Sequence, residues 1–196
     1  GVMHCMRYGQ SYARRWLEAH PDLTLDSWRC QREGREDPDD PRPFEVTEIA
    51  PGVHVHVGAV ETPDPGNAGD IANTGFIVGE EAVAVIDAGG SRAVGERLLS
   101  AIRRVTDKPV RWLILTHMHP DHVLGAEVFR EAGARILAHH KLERALADRA
   151  ETYRDNFRRL IGERAYAGTR IVLPDEGVAA PREIDLGGRV IELLPH

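Results

Sequence analysis

Between His117 and His122 the chain reads His-Met-His-Pro-Asp-His, placing three imidazoles and one carboxylate within six residues. A neutral imidazole offers a nitrogen lone pair and an ionised carboxylate offers oxygen, donor types that zinc accepts. The spacing sorts them into pairs. In an extended turn alternate side chains point the same way, so His117 and His119 can reach one ion. Pro120 suits the first position of a helix. Asp121 and His122 would then occupy the first helical turn and face a second ion a few ångströms away. The bland alternative is a solvated turn that happens to be rich in histidine. Against it stands the apolar run at residues 110–116 (VRWLILT), a buried strand whose carboxyl end is where a sheet flanked by helices presents binding groups.

The elements that hold these side chains follow from periodicity. Val53, Val55 and Val57 alternate with His54 and His56 as in a strand, with the two histidines expected on its solvated face. Residues 61–73, rich in Pro, Gly and Asp, form a loop near the metal end, open to two readings: a segment that carries substrate contacts, or a mobile exposed hairpin tip. Asp64, Asn67 and Asp70 are its candidate contacts. Residues 75–78 and 82–86 read as a buried hairpin. Ser91 can cap a helix in which Val94, Leu98, Ile102 and Val105 recur at helical spacing, and Pro109 stops it. Past the histidines the pattern predicts a helix over 121–132, a strand over 134–138, a long charged helix over 140–164, and short strands at 171–173 and 190–194. His139 and His140 fall where strand gives way to helix and are read as meeting solvent. Strands first, then strand and helix in alternation, give an α/β domain.

Composition narrows the function. A formal charge of −6 at pH 7 argues against a phosphate-backbone binder, which needs a basic stripe. No run of roughly 18 apolar residues is present to span a membrane. Residues 31–43 (QREGREDPDDPRP) are charged and Pro-rich, which separates a small α+β unit at 1–30 from a domain at 44–196. Cys5 and Cys30 flank a short helix-then-strand pattern in that unit; a disulfide and two buried thiols are both open readings.

The run LTHMHPDHVLG resembles the His-x-His-x-Asp-His motif of the metallo-β-lactamase superfamily, supported by Asn73 before the Gly-Phe-Ile-Val strand and by Val85-Ile86-Asp87-Ala88-Gly89 upstream. The wording of residues 49–53, 69–73 and 106–110 looks most like a periplasmic branch, the SoxH-like and quinoprotein relay-system zinc metallohydrolases; without an evident export signal the cytoplasm is the alternative. The resemblance covers roughly residues 45–196. It implies the first half of an αββα-type fold and one or two zinc ions. His117 and His119 would serve the first ion and Asp121 and His122 the second, with Asp121 also the catalytic group that orients the nucleophile and accepts a proton. Asp87 would be a buried structural carboxylate holding the metal loop. Zinc lowers the pKa of bound water to about 7, so hydroxide could attack a carbonyl-type group, an ester, thioester or lactam, in a small-molecule substrate. A glyoxalase II-like thioester hydrolase or an iron-dependent persulfide dioxygenase, and a non-catalytic module of the same fold, are the competing readings.

The family completes its sites with a further His, a bridging Asp and a last His, all downstream. His196 stands close to the place of the first and is a candidate ligand; the other two are not reached. The domain is therefore expected to be truncated at its C-terminus, to leave an apolar sheet face bare and to be inactive on its own.

Overall fold

The computed structural model describes residues 44–196, so the expected small unit at 1–30, the linker at 31–43 and the Cys5/Cys30 pair lie outside the described residues. Strands β1 (Thr47–Ala50), β2 (Val53–His56), β3 (Thr74–Val78), β4 (Val83–Ile86), β5 (Val110–Leu115), β6 (Arg135–His139) and β7 (Glu176–Val178) form one sheet in sequence order. The first four pair antiparallel and the last four parallel, β4 belonging to both sets. Each parallel step needs a crossover, supplied by helix α1 (Arg92–Val105), then α2 (Pro120–Val123) with α3 (Ala126–Glu131), then α4 (Leu142–Ala147) with α5 (Ala150–Tyr166).

Alternation within the central strands builds two cores. Val83, Val85, Leu113, Leu115 and Ile136 turn to one face, where Leu98 and Ile102 of α1, Phe129 of α3 and Ile161 of α5 cover them. Ala84, Ile114 and Leu137 turn to the other, where Ile184 and Leu186 pack on them. Those two residues belong to and follow β8 (Arg182–Asp185), which pairs antiparallel with β9 (Val190–Leu193) in a separate ribbon. The face expected to be bare is thus covered over these central strands. Strand β8 escapes the periodicity because Ile184 is its only apolar residue.

Ser91 caps α1 as expected, its hydroxyl accepting from the Val94 N–H at 3.2 Å. Val105 is exposed, so the buried stripe of α1 ends at Ile102. Other elements depart from expectation. The helix read over 121–132 is broken between α2 and α3 at Leu124 and Gly125, because the chain there presses against the end of β4. A Cβ on Gly125 would lie 2.0 Å from the Ala88 carbonyl oxygen. Two hydrogen bonds fasten the approach, Gly125 N–H to the Gly89 carbonyl at 3.0 Å and Ala88 N–H to the His122 carbonyl at 2.8 Å. The helix read over 140–164 divides into α4 and α5, with Gly162 at φ 80 interrupting the latter. No strand forms at 171–173; β7 lies at Glu176–Val178, beside β6.

His54 and His56 overturn the solvated-face reading. Both are buried while Val57 is exposed, because aromatic rings give the imidazoles a stacking surface. His54 stacks on Phe76 at 4.6 Å between centroids and His56 on Phe44 at 3.7 Å.

Candidate metal centre

Strand β5 runs parallel between β4 and β6, and its carboxyl end delivers Thr116 and His117 beside Asp87, the residue after β4. Asp87 is 3% exposed and sits at φ 58, left-handed backbone that Asp and Asn tolerate better than most residues. Its carboxylate is fully engaged. Oδ1 accepts the Thr116 N–H at 2.8 Å; Oδ2 accepts the Thr116 hydroxyl at 2.7 Å and lies 2.8 Å from His122 Nδ1.

A carboxylate can only accept, and this sets the protons of the neighbours. His122 must carry its proton on Nδ1, leaving the Nε2 lone pair free when the ring is neutral. The Thr116 hydroxyl spends its hydrogen on Asp87, so its oxygen accepts from His117 Nδ1, 2.9 Å away. His117 therefore also presents an Nε2 lone pair. Asp87 orients one imidazole directly and the other through a threonine, the outer support that metal-ligating histidines usually have.

The presented atoms lie in pairs. His117 Nε2 is 3.1 Å from His119 Nδ1, and His122 Nε2 is 3.5 Å from Asp121 Oδ2. Two ligands at about 2.0–2.1 Å on one tetrahedral zinc stand ~3.3 Å apart, so both pairs have the spacing such an ion requires. The His117 and His122 rings are 4.0 Å apart between centroids, which joins the pairs in one centre. Asp87, His117 and His122 each bring a ligand-type atom within 4.8 Å of the others, a grouping able to hold a metal ion.

The two histidines differ electrostatically. Partial burial, with a further push from His122 and His119, lowers the pKa of His117 against the pull of Asp87 and Asp121. For His122 burial also acts downward, but its hydrogen bond to Asp87 and the charges of Asp87 and Asp121 together exceed it and raise the pKa.

A cavity opens on each side of the motif. One, about 520 Å³, is mostly apolar; His117 and Met118 line it together with His139 of β6 and the exposed His196. The other, an open cleft of about 820 Å³, has Asp121 and His122 on one wall and loop residues 57–62 and 71–73 on the opposite one. The loop reaches the centre as expected, but not through Asp64, Asn67 and Asp70, which do not line this cleft. Asn67 is buried and its side chain bonds Asp64 N–H, Gly69 N–H and the Thr62 carbonyl. Asp64 accepts from Gly66 and Asn67, and Asp70 lies against His56. These side chains fasten the loop, since a turn rich in Gly and Pro has few other ways to satisfy its backbone. Thr116 was missed from sequence, although a hydroxyl residue directly before the first histidine was its signal.

A family model described as the metallo-beta-lactamase superfamily matches residues 67–196. The chain belongs to that superfamily. Two solved structures similar to it are a metallo-beta-lactamase from Pontibacter korlensis, 21% identical with a TM-score of 0.55, and one from Hirschia baltica, 18% identical with a TM-score of 0.53. The first comparison covers 76% of this chain and 58% of that one, the second 74% and 57%. At these identities the likeness shows the fold alone: a partial metallo-beta-lactamase fold, spanning less than two thirds of those relatives. A curated relative, the linear primary-alkylsulfatase of a Pseudomonas species, is 34% identical over 54 residues, which is 28% of this chain and 10% of that protein. Among the described residues of this superfamily member no helix is long and apolar enough to cross a membrane.

Proposed function

We propose that this chain supplies the metal-holding part of a zinc-dependent hydrolase acting on a small molecule with a carbonyl-type ester, thioester or lactam group. The observation that carries the reading is the enforced presentation of donors: one buried carboxylate orients His117 and His122, and the donor pairs stand 3.1 and 3.5 Å apart. His117 and His119 would hold one ion and Asp121 and His122 another, with Asp87 as support; His196, on the same cavity as His117, is the candidate to join the first pair. Bound zinc would lower the pKa of water to about 7 and offset negative charge developing on a substrate oxygen. The chain's own part is orientation and proton handling. Asp121, 23% exposed at the edge of the open cleft, has a carboxylate placed to accept a proton from a water held there. The alkylsulfatase relative favours a second reading in which the bond cleaved is that of a sulfate ester.

The test is metal content and turnover of the full-length protein. His117→Ala with His119→Ala should remove one equivalent of zinc by elemental analysis. Asp121→Asn should keep the fold and lose turnover by about 10²–10⁴-fold, the usual worth of a positioned acid–base group. Unchanged zinc in the double variant would defeat the ligand assignment. Iron in place of zinc would favour an oxygenase, and a panel of carboxylic, thio- and sulfate esters separates the two hydrolytic readings.

A further inference from the structure

His56 lies outside the metal centre, on β2, and each of its ring nitrogens faces an acceptor. Its ring is 6% exposed and stacked on Phe44. Nδ1 is 2.8 Å from the Glu45 carbonyl oxygen and Nε2 is 2.8 Å from Asp70 Oδ1. A carbonyl and a carboxylate are both acceptors, so each contact is a hydrogen bond only if the nitrogen facing it carries hydrogen. A neutral imidazole has one N–H; the imidazolium has two. Charged groups near it include Asp70 from the loop and Arg97 from α1, whose guanidinium lies 3.7 Å from Asp70 Oδ2 and 5.1 Å from the centroid of Phe44; Arg104 of the same helix donates to the Phe44 carbonyl at 3.0 Å. Asp70 thus faces the imidazole on one oxygen and a guanidinium on the other. A neutral His56 would leave one buried acceptor facing a lone pair.

The position of this clamp gives it a task. Asp70 precedes Ile71, Ala72 and Asn73, which line the cleft facing Asp121 and His122, and the Asp70 carbonyl accepts the Ala59 N–H at 2.9 Å from the opposite arm of the loop. Asn73 Oδ1 accepts the Gly58 N–H at 3.2 Å one step nearer the cleft. Whatever holds Asp70 holds both arms of the cleft wall.

We propose that His56 is a positioning residue: a doubly donating imidazolium that pins the loop wall of the Asp121/His122 cleft to the sheet and so sets substrate affinity. The part concerning substrate rests on the proposed function; the protonation state does not. Losing one charge-assisted hydrogen bond of this kind weakens the pinned state by about 10- to 100-fold. Loss of the clamp should raise the Michaelis constant while kcat changes little.

Nitrogen NMR of the full-length protein, with ring nitrogens labelled, tests the state directly. Two N–H signals from His56 at neutral pH are expected; a single N–H beside a lone-pair nitrogen overturns the proposal whatever the enzyme does. His56→Phe keeps the stack on Phe44 without the donors, and His56→Gln is the control for a fold that needs a polar side chain. In both, about a tenfold rise in KM with unchanged kcat and zinc content is the expected result. A KM like that of the parent, or a fall in kcat together with zinc loss, overturns the positioning role.

Discussion

Replacing Asp87 by Asn changes one atom and should disable both imidazoles it orients. The φ of 58 at this position is tolerated by Asn, so the backbone has little reason to move. Keeping the amide oxygen where Oδ1 accepts the Thr116 N–H puts the NH2 group where Oδ2 now lies 2.7 Å from the Thr116 hydroxyl and 2.8 Å from His122 Nδ1. His122 Nδ1 must then accept, which moves its proton to Nε2. The Thr116 oxygen also accepts from the amide, so its hydrogen turns to His117 Nδ1 and moves that ring's proton to Nε2 as well. Turning the amide over only exchanges this fault for two donors facing each other at the Thr116 N–H. Each nitrogen that should face a metal would then carry hydrogen. Loss of such an outer partner typically costs 10- to 100-fold in metal affinity, about 1.4–2.7 kcal/mol, and here both donor pairs are hit. The assay is zinc titration of the full-length protein against a competing chelator, with the parent and Thr116→Ser, which keeps the hydroxyl, as controls. Circular dichroism would show the fold retained. Parent-like affinity in a folded Asp87→Asn protein would refute the tautomer argument. Zinc loss confined to one site would refute the Thr116 link.

Further outcomes follow from the same geometry. The raised pKa of His122 and the lowered pKa of His117 order the loss of metal on acidification. A metal competes with the proton, so the Asp121/His122 pair should release zinc first as pH falls and the His117/His119 pair last. Stepwise release followed with a zinc dye would show this; the reverse order would contradict it. The sign for folding is opposite: in metal-free protein the Asp87–His122 pair stabilises fully below the ordinary histidine pKa and fades as pH rises through the raised one, so metal-free melting temperature should fall on that side. Gly125→Ala should destabilise by at least the ~1–3 kcal/mol usual for overpacking, because its Cβ would stand 2.0 Å from backbone that cannot yield cheaply; an unchanged melt would mean the metal turn is looser than described.

How far sequence reached depended on the range over which each feature is specified. The four candidate ligands fall within one six-residue turn, so residue type and spacing were enough to propose both pairs before any fold was known. The hairpin of β3 and β4, the cap at Ser91 and the buried strand β5 were equally legible, since alternation and capping are local. The breaks at Gly125 and Gly162 were not, because helical spacing continues across them and only packing, or a left-handed φ, interrupts it. His54 and His56 misled for a related reason: alternation shows that two faces exist, but which one is buried was decided by Phe44 and Phe76. Asp64, Asn67 and Asp70 carried the composition of a binding loop, yet their side chains bond the loop's own backbone and His56. The role of Asp87 came with the family resemblance. Its reach through Thr116 to His117 became visible only once β4 and β5 lay side by side, because hydrogen-bond direction is a property of neighbours in space.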